Sequence, residues 1–158
     1  FPVERYFGAT GGIVVARKKL VEDKIIDKLW LRKYETKMGK IKFDFKGLYV
    51  FIYQDKPFYV GISKGVIGRM LQHLKGHSNN TSTLAYNIGL IRYETLNEQK
   101  YIGGRKEFNF KFDVVPAKEF LLKQKIAFIS IENNEELYLF ELYCAMKLEC
   151  WLNKFETH

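Results

Sequence analysis

Two tyrosines and one arginine in the middle of the chain carry the chemistry needed to act on a phosphodiester. Tyr49 and Tyr59 lie ten residues apart, and Arg69 follows after ten more. A guanidinium can hold a non-bridging phosphate oxygen in a fixed fork of donors and stays charged through a reaction. A tyrosine normally titrates near 10, so it activates water only where positive charge lowers its pKa. Either Tyr49 or Tyr59 could serve as that base.

One carboxylate lies inside an apolar stretch near the end of the chain. Glu141 is preceded by residues 137–140 (LYLF) and followed by residues 142–145 (LYCA). Burying a carboxylate without a partner costs several kcal/mol, so we expect Glu141 to meet a cation. Two interpretations are open: an ion pair with a buried Lys or Arg, or ligation of a hard divalent cation such as Mg²⁺.

Two further polar residues have two interpretations each. His73 lies four residues after Arg69, so the two share a helix face, and His73 is either a base or phosphate donor or a surface histidine. Asn153 lies twelve residues after Glu141. It would orient groups in the site or hold the chain end, or it simply terminates a helix.

A β-hairpin followed by a helix must position the tyrosines and Arg69. Residues 47–53 and 58–62 are rich in aromatic and β-branched residues and flank residues 54–57, which predicts two strands and a turn. Ser63 is the expected helix cap. We expect Tyr49 and Tyr59 to share one face of the hairpin, which requires a three- or five-residue loop or a β-bulge.

Apolar spacing and turn residues predict the remaining helices and strands. Residues 1–46 predict a short strand at 13–16, a helix at 19–34 in which Trp30 anchors to the core, and a lysine-rich approach to the hairpin. After the hairpin, Ser82 or Thr81 caps a helix that runs to about Leu96. The rest of the chain predicts, in order, a loop at 97–106, a strand at 108–115, a helix at 117–125, a strand at 126–131 and a long helix capped by Asn133. This pattern predicts an α+β fold, an α/β sandwich with a small three-stranded antiparallel sheet flanked by helices.

The central stretch resembles the GIY-YIG nuclease superfamily. Gly47-Leu48-Tyr49 stands for the first triplet and Tyr59-Val60-Gly61 for the second, while Arg69, Glu141 and Asn153 follow at the family's spacing. The resemblance implies a GIY-YIG nuclease-like domain at residues 47–158, preceded by an extension at 1–46, with both in one compact unit.

The resemblance also implies a chemistry. Glu141 would be the sole protein ligand of one Mg²⁺ or Mn²⁺, Arg69 would hold the phosphate, and a triplet tyrosine would activate water. Some relatives carry a Lys directly after the second triplet, where this chain has Ile62, and Lys64 could replace it. Candidate nucleic-acid contacts, drawn from the basic loops and from this resemblance, are Lys46, Lys64, His77, Arg105 and Lys106.

Composition fits this interpretation. The 158 residues carry a formal charge of +8, which favours a polyanionic partner such as DNA. Cys144 and Cys150 are expected in one helix as buried thiols of a reducing cytoplasm, and no apolar run is long enough for a membrane span.

Two functions compete at this point. One is a metal-dependent endonuclease that cleaves DNA, and the other is a non-catalytic nucleic-acid-binding module with the same fold. A binding module has no reason to bury Glu141, so we expect the endonuclease.

Overall fold

The structure of the protein is a computed structural model that describes residues 6–7, 32–35 and 41–155, with side chains from Asp44 onward. The predicted strand at 13–16, Trp30 and most of the predicted helix at 19–34 lie outside these residues. The chain divides into two compact units, residues 1–69 with 124–158 and residues 70–123. The predicted boundary after residue 46 falls within the first unit.

The first unit is built on an antiparallel sheet. Its three main strands are β4 (Gly47–Tyr53), β5 (Lys56–Ser63) and β6 (Lys125–Ser130), and the two-residue strand β1 (Tyr6–Phe7) pairs with β6. The order is β1-β6-β4-β5, which places β5 at an edge. Strands β2 (Arg32–Glu35) and β3 (Ile41–Asp44) form a separate hairpin. The predicted α+β class and the three-stranded antiparallel sheet are confirmed.

The hairpin turn is shorter than predicted. Gln54 and Asp55 have φ of 49° and 61° and form a two-residue turn, so Lys56 and Pro57 belong to β5 and not to a loop at 54–57. Left-handed φ at both turn residues matches the twist of the flanking strands. Pro57 is tolerated in β5 because an edge strand leaves some amides unpaired within the sheet.

A β-bulge shifts the strand pairing by one residue from the register that this two-residue turn alone would give. Beside the turn, Tyr53 pairs with Lys56 and Ile52 with Pro57, but from Phe51 onward the pairing shifts by one residue. Tyr49 then lies opposite Gly61, and Phe51 opposite Tyr59. Since side chains alternate between faces, Tyr49 and Tyr59 share one face, as predicted.

The two faces of the sheet are covered differently. On one face Leu48, Val50 and Val60 join a buried cluster with Leu137 and Ala145 of helix α4 (Asn134–Lys147). The opposite face carries the aromatic rings of Tyr49 and Phe51. Asn133 caps α4 as predicted, because its side chain accepts a hydrogen bond from the Glu136 amide.

The second unit contains two further helices and most of helix α1 (Val66–Lys75). Helix α2 (Thr83–Asn97) is capped by Ser82, as predicted, through a bond from the Ala85 amide. A π-helical turn (Phe110–Val114) leads into helix α3 (Val115–Leu122). Phe108 packs edge-on against three tyrosine rings, those of Tyr86, Tyr93 and Tyr101.

Three predictions about these elements are wrong. The helix predicted at 19–34 cannot extend to residue 34, because residues 32–35 form a strand that pairs with residues 41–44. The apolar residues on which the helix prediction rests end at Trp30. The strand at 108–115 is a π-helical turn, which the Asn109 side chain starts by accepting from the Phe112 amide. Cys150 lies beyond the end of α4, although it and Cys144 are buried free thiols as expected.

Among the residues that the structure describes, every helix is too short or too polar to span a bilayer.

Candidate functional site

The two tyrosine rings meet on one face of the hairpin. Their ring centroids are 6.3 Å apart with planes inclined by 42°. Tyr49 is fully buried, and its ring lies over Gly61, where any Cβ would overlap the ring and hydroxyl. Gly47 is restricted in the same way by the backbone of Ile129 on β6. Both glycines therefore permit close packing beside the tyrosines and need no chemical role.

Hydrogen bonds join both tyrosine hydroxyls and Arg69. Burial raises the pKa of Tyr49, and the neighbouring Tyr59 raises it further, whereas the charge and hydrogen bond of Arg69 oppose this. Burial also raises the pKa of Tyr59, while Arg69 and a hydrogen bond from Tyr49 lower it. The shared bond thus favours ionisation of Tyr59 over that of Tyr49. The structure thus brings Tyr49, Tyr59 and Arg69 into one hydrogen-bonded cluster.

A carboxylate that the sequence analysis missed fixes the start of the helix carrying Arg69. Asp44 accepts hydrogen bonds from the amides of Ile67 at 2.8 Å and Gly68 at 3.0 Å, and also from the adjacent Phe45 amide. Ser63, the predicted cap, instead bonds Gly65. The missed signal was a helix with no acidic residue in its first turn, which leaves its free amides and positive end to a carboxylate from elsewhere.

The charge of Glu141 acts on Tyr59. Glu141 is half-buried, and burial raises the pKa of its carboxyl group. Its negative charge also raises the pKa of Tyr59. Helix α4 packs against the sheet face opposite to the tyrosine rings, and the described structure links Glu141 to Tyr59 by electrostatics. The ion pairs among the described residues, Arg92–Asp113 and Lys125–Asp55, do not involve Glu141.

The apolar neighbours of Glu141 differ from the prediction. The sequence predicts that Glu141 is buried within an apolar stretch, yet five of the large apolar residues of α4 are exposed. Glu141 and Phe140 are half-buried, and only Leu137, Cys144 and Ala145 are buried on this helix. A helix that is apolar on nearly every side, apart from Glu141, does not show in its sequence whether it is buried or presents an apolar surface.

Asn153 holds the C-terminal segment on the edge strand. Its Oδ1 accepts from the Val60 amide at 2.8 Å, and its Nδ2 donates to the Val60 carbonyl at 2.7 Å. Leu152 adds a backbone bond to Phe58. These bonds fix β5 directly beside Tyr59, which agrees with the interpretation that Asn153 holds the chain end.

His73 is described within the second unit and is fully buried. Its Nδ1 lies 2.6 Å from the Ser82 hydroxyl, and its backbone carbonyl accepts from the buried Lys118 ammonium. The expectation of a surface histidine is therefore wrong, because packing turns this part of α1 inward. A role as an accessible base finds no support in this position.

The predicted nucleic-acid contacts fall into two groups. Lys64, His77 and Lys106 are exposed. Lys46 and Arg105 are half-buried and engaged: the Lys46 ammonium donates to the Glu132 carbonyl at 2.6 Å, and Arg105 donates to the Asn79 carbonyl and covers the Tyr86 ring. The exposed group is the better placed to contact phosphates.

A cluster of three or more His, Cys, Asp or Glu side chains able to hold a metal is absent from the described residues. Comparison of the chain with protein-family models, curated proteins and solved structures finds no match.

Proposed function

We propose that this protein is a metal-dependent endonuclease that cleaves DNA phosphodiester bonds by attack of water, on a GIY-YIG-like fold. The observation that carries the proposal is the hydrogen-bonded cluster of Tyr49, Tyr59 and Arg69, with the half-buried Glu141 in electrostatic reach of Tyr59. Packing alone does not require a guanidinium beside the buried phenol of Tyr49 and the half-buried phenol of Tyr59. A phosphate, which carries negative charge, would find its donor there.

Arg69 binds the scissile phosphate in this proposal. Its guanidinium already faces the Tyr49 hydroxyl, so it can stabilise charge that develops on a non-bridging oxygen without reorganising. Asp44 supports this function indirectly, because it fixes the first turn of α1, in which Arg69 lies.

Tyr59 is the better candidate for the base. The hydrogen bond between the two phenols lowers the pKa of Tyr59 and raises that of Tyr49, whereas Arg69 lowers the pKa of both. Burial still raises the resting pKa of both tyrosines. Additional positive charge must therefore reach Tyr59 before it can remove a proton from water at neutral pH.

Glu141 fits the requirement for a hard divalent cation. Its pKa is raised by burial, and the described ion pairs do not compensate its charge, so a cation at its oxygens would stabilise it. Bound there, Mg²⁺ or Mn²⁺ would neutralise charge on the phosphate and the departing oxygen. Coupling between Glu141 and Tyr59 means that neutralising Glu141 also favours ionisation of Tyr59.

The experiment is a cleavage assay on supercoiled, linear and branched DNA. We expect cleavage with Mg²⁺ or Mn²⁺ and none with excess chelator. DNA binding without cleavage of any substrate under either metal would instead favour the non-catalytic binding module.

A further inference from the structure

The outer surface of α4 is apolar and exposed. Five large side chains on it remain in solvent, with exposed fractions of 66% for Tyr138, 71% for Leu139, 42% for Leu142, 58% for Tyr143 and 69% for Met146. We call these five residues the outer face of α4. Monomeric proteins rarely expose apolar patches of more than a few hundred Å², and larger ones mark interaction sites.

Helical spacing makes this a single surface. Tyr138, Leu142 and Met146 follow one another at intervals of four, and Leu139 and Tyr143 form a parallel row beside them. Residues three and four apart are neighbours on a helix, so the two rows merge into one stripe. Trp151, just beyond the helix, is also 65% exposed.

The charges near the stripe argue against a polyanion as its partner. Glu135 and Glu136 lie exposed in the first turn of α4, and Glu149 is exposed after its end. Lys147 is the one basic residue of the helix. DNA and anionic lipid would both be repelled by this excess of carboxylates. The partner must therefore be apolar and place a cation against these carboxylates and an anion against Lys147.

We propose that the outer face of α4 is the contact between two copies of this chain, with the two helices antiparallel. A twofold axis makes such a contact self-complementary, since the same stripe meets itself. Glu136 and Lys147 are eleven residues apart, about three turns, and so lie on the same flank of the stripe. In an antiparallel pair Glu136 of each copy faces Lys147 of the other copy, which gives two such contacts.

A parallel pair lacks this match. There the twofold axis runs along the helices, so the flank that carries Glu136 and Lys147 lies on opposite sides of the contact in the two copies, and the two residues do not meet. The antiparallel arrangement also places Leu142, near the middle of the helix, close to the twofold axis. This inference does not depend on the proposed nuclease activity.

The first measurement is sedimentation of the purified full chain between about 1 µM and 1 mM, the span of weak to moderate association. We expect a concentration-dependent monomer–dimer equilibrium. Leu139→Glu buries a charge in the contact and should weaken dimerisation by at least about tenfold. Ile102→Glu is the matched control, because Ile102 is 96% exposed outside this face, and it should leave the dimer unchanged. Circular dichroism checks that both variants remain folded.

The second measurement tests orientation with reversed charges. Glu136→Lys and Lys147→Glu should each weaken dimerisation several-fold, and the double variant should restore it, since every exchanged pair again has opposite signs. Each reversal also places an unfavourable charge at one end of the α4 dipole. The double variant carries both unfavourable charges, so the dipole effect cannot restore dimerisation.

Three outcomes would overturn the proposal. A protein that stays monomeric over the whole range has this face covered by another partner or by another part of the chain. A dimer that Leu139→Glu leaves intact uses a different surface. A dimer that Leu139→Glu breaks, but that the double reversal does not restore, contradicts the antiparallel arrangement.

Discussion

Tyr49 and Tyr59 share one hydrogen bond that acts on their acidities in opposite directions. The bond raises the pKa of Tyr49 and lowers that of Tyr59. Burial outweighs it in both, so each pKa lies above the ordinary value of 10. A rate that depends on ionised tyrosine should then rise about tenfold per pH unit through neutral pH, because the ionised fraction does so below the pKa.

Replacing each tyrosine by phenylalanine separates the two roles. Tyr59→Phe should remove metal-dependent cleavage by at least about a hundredfold at every pH, as expected for loss of a general base. Tyr49→Phe removes the hydrogen bond that favours ionised Tyr59, so it should retain some activity and move the rising limb of the pH profile to higher pH. Cleavage rates between neutral and alkaline pH measure both effects. The reverse pattern would assign the base to Tyr49, and flat profiles in both variants would exclude a tyrosine base.

Strand alternation and the expected bulge were enough to predict that Tyr49 and Tyr59 share one face. The position of Arg69 beside them was implied only by the resemblance to a nuclease family. His73 shows the limit of this reasoning: its spacing from Arg69 is correct for one helix face, yet it is fully buried against Ser82. Whether a helical residue is buried depends on the elements that pack against the helix. The spacing of residues within the helix does not show which elements these are.

At the scale of elements, a single carboxylate fixes helix α1. Asp44, at the end of β3, satisfies the amides of Ile67 and Gly68 and so replaces a local cap. Gly65 and Gly68 lie against this carboxylate, where a Cβ at Gly65 would approach Oδ2 to 2.8 Å. The position of Arg69 therefore depends on a residue 25 positions earlier.

Asp44→Asn tests this anchor. The amide group keeps the size but loses the charge and one acceptor, so we expect the free energy of unfolding to fall by about 1–2 kcal/mol. Cleavage per folded molecule should also fall, because the first turn of α1 loses its fixed position. Asp55→Asn is the control: Asp55 is exposed and pairs with Lys125 on the surface, where such pairs contribute little. Equal melting temperatures for both variants would contradict the anchoring role.

Some features of the hairpin could be predicted from the sequence, and others could not. Its strands follow from the aromatic and β-branched runs, but the turn and the bulge do not. Gln54 and Asp55 are not the glycine-containing pair that usually marks a two-residue turn, so the sequence suggested a longer loop. The π-helical turn at Phe110–Val114 was missed for a similar reason, since it depends on the Asn109 side chain and on packing.

At the scale of the whole molecule, the charge of +8 is the feature that bears on DNA. Lys64, His77 and Lys106 are exposed, and exposed lysines that contact phosphates release counterions from the duplex. The sequence predicts the sign and size of this charge, but not which lysines are engaged inside the fold, as Lys46 is.

DNA affinity should therefore fall steeply with salt. We expect a linear decrease of log affinity with log salt concentration, at a slope of about −0.9 per phosphate contact. Lys64→Ala and Lys106→Ala should each reduce that slope by up to about one if they make such a contact, whereas Lys46→Ala, at an engaged lysine, should leave it unchanged. Titrations by fluorescence anisotropy at several salt concentrations provide the slopes. Affinity that does not change with salt would show that nucleic acid is not the partner.

Glu141→Gln tests most directly the proposal that Glu141 holds the metal of a nuclease. The change keeps the shape of the side chain but removes the charge, so cleavage in Mg²⁺ or Mn²⁺ should drop by at least about a hundredfold, more than loss of a supporting contact usually costs. DNA binding should persist or tighten. Glu119→Gln, an exposed glutamate on α3, is the control and should cleave normally.

A thermal melt without metal, run beside the cleavage time course, completes the measurement. Burial raises the pKa of Glu141, so the folded state binds its proton more tightly than the unfolded state does. The unfolding free energy of the wild type should then fall as pH rises through the range where Glu141 ionises. At neutral pH, Glu141→Gln removes that cost, and the account predicts an equal or higher melting temperature with cleavage lost. A large fall in melting temperature, with cleavage unchanged per folded molecule, would contradict it.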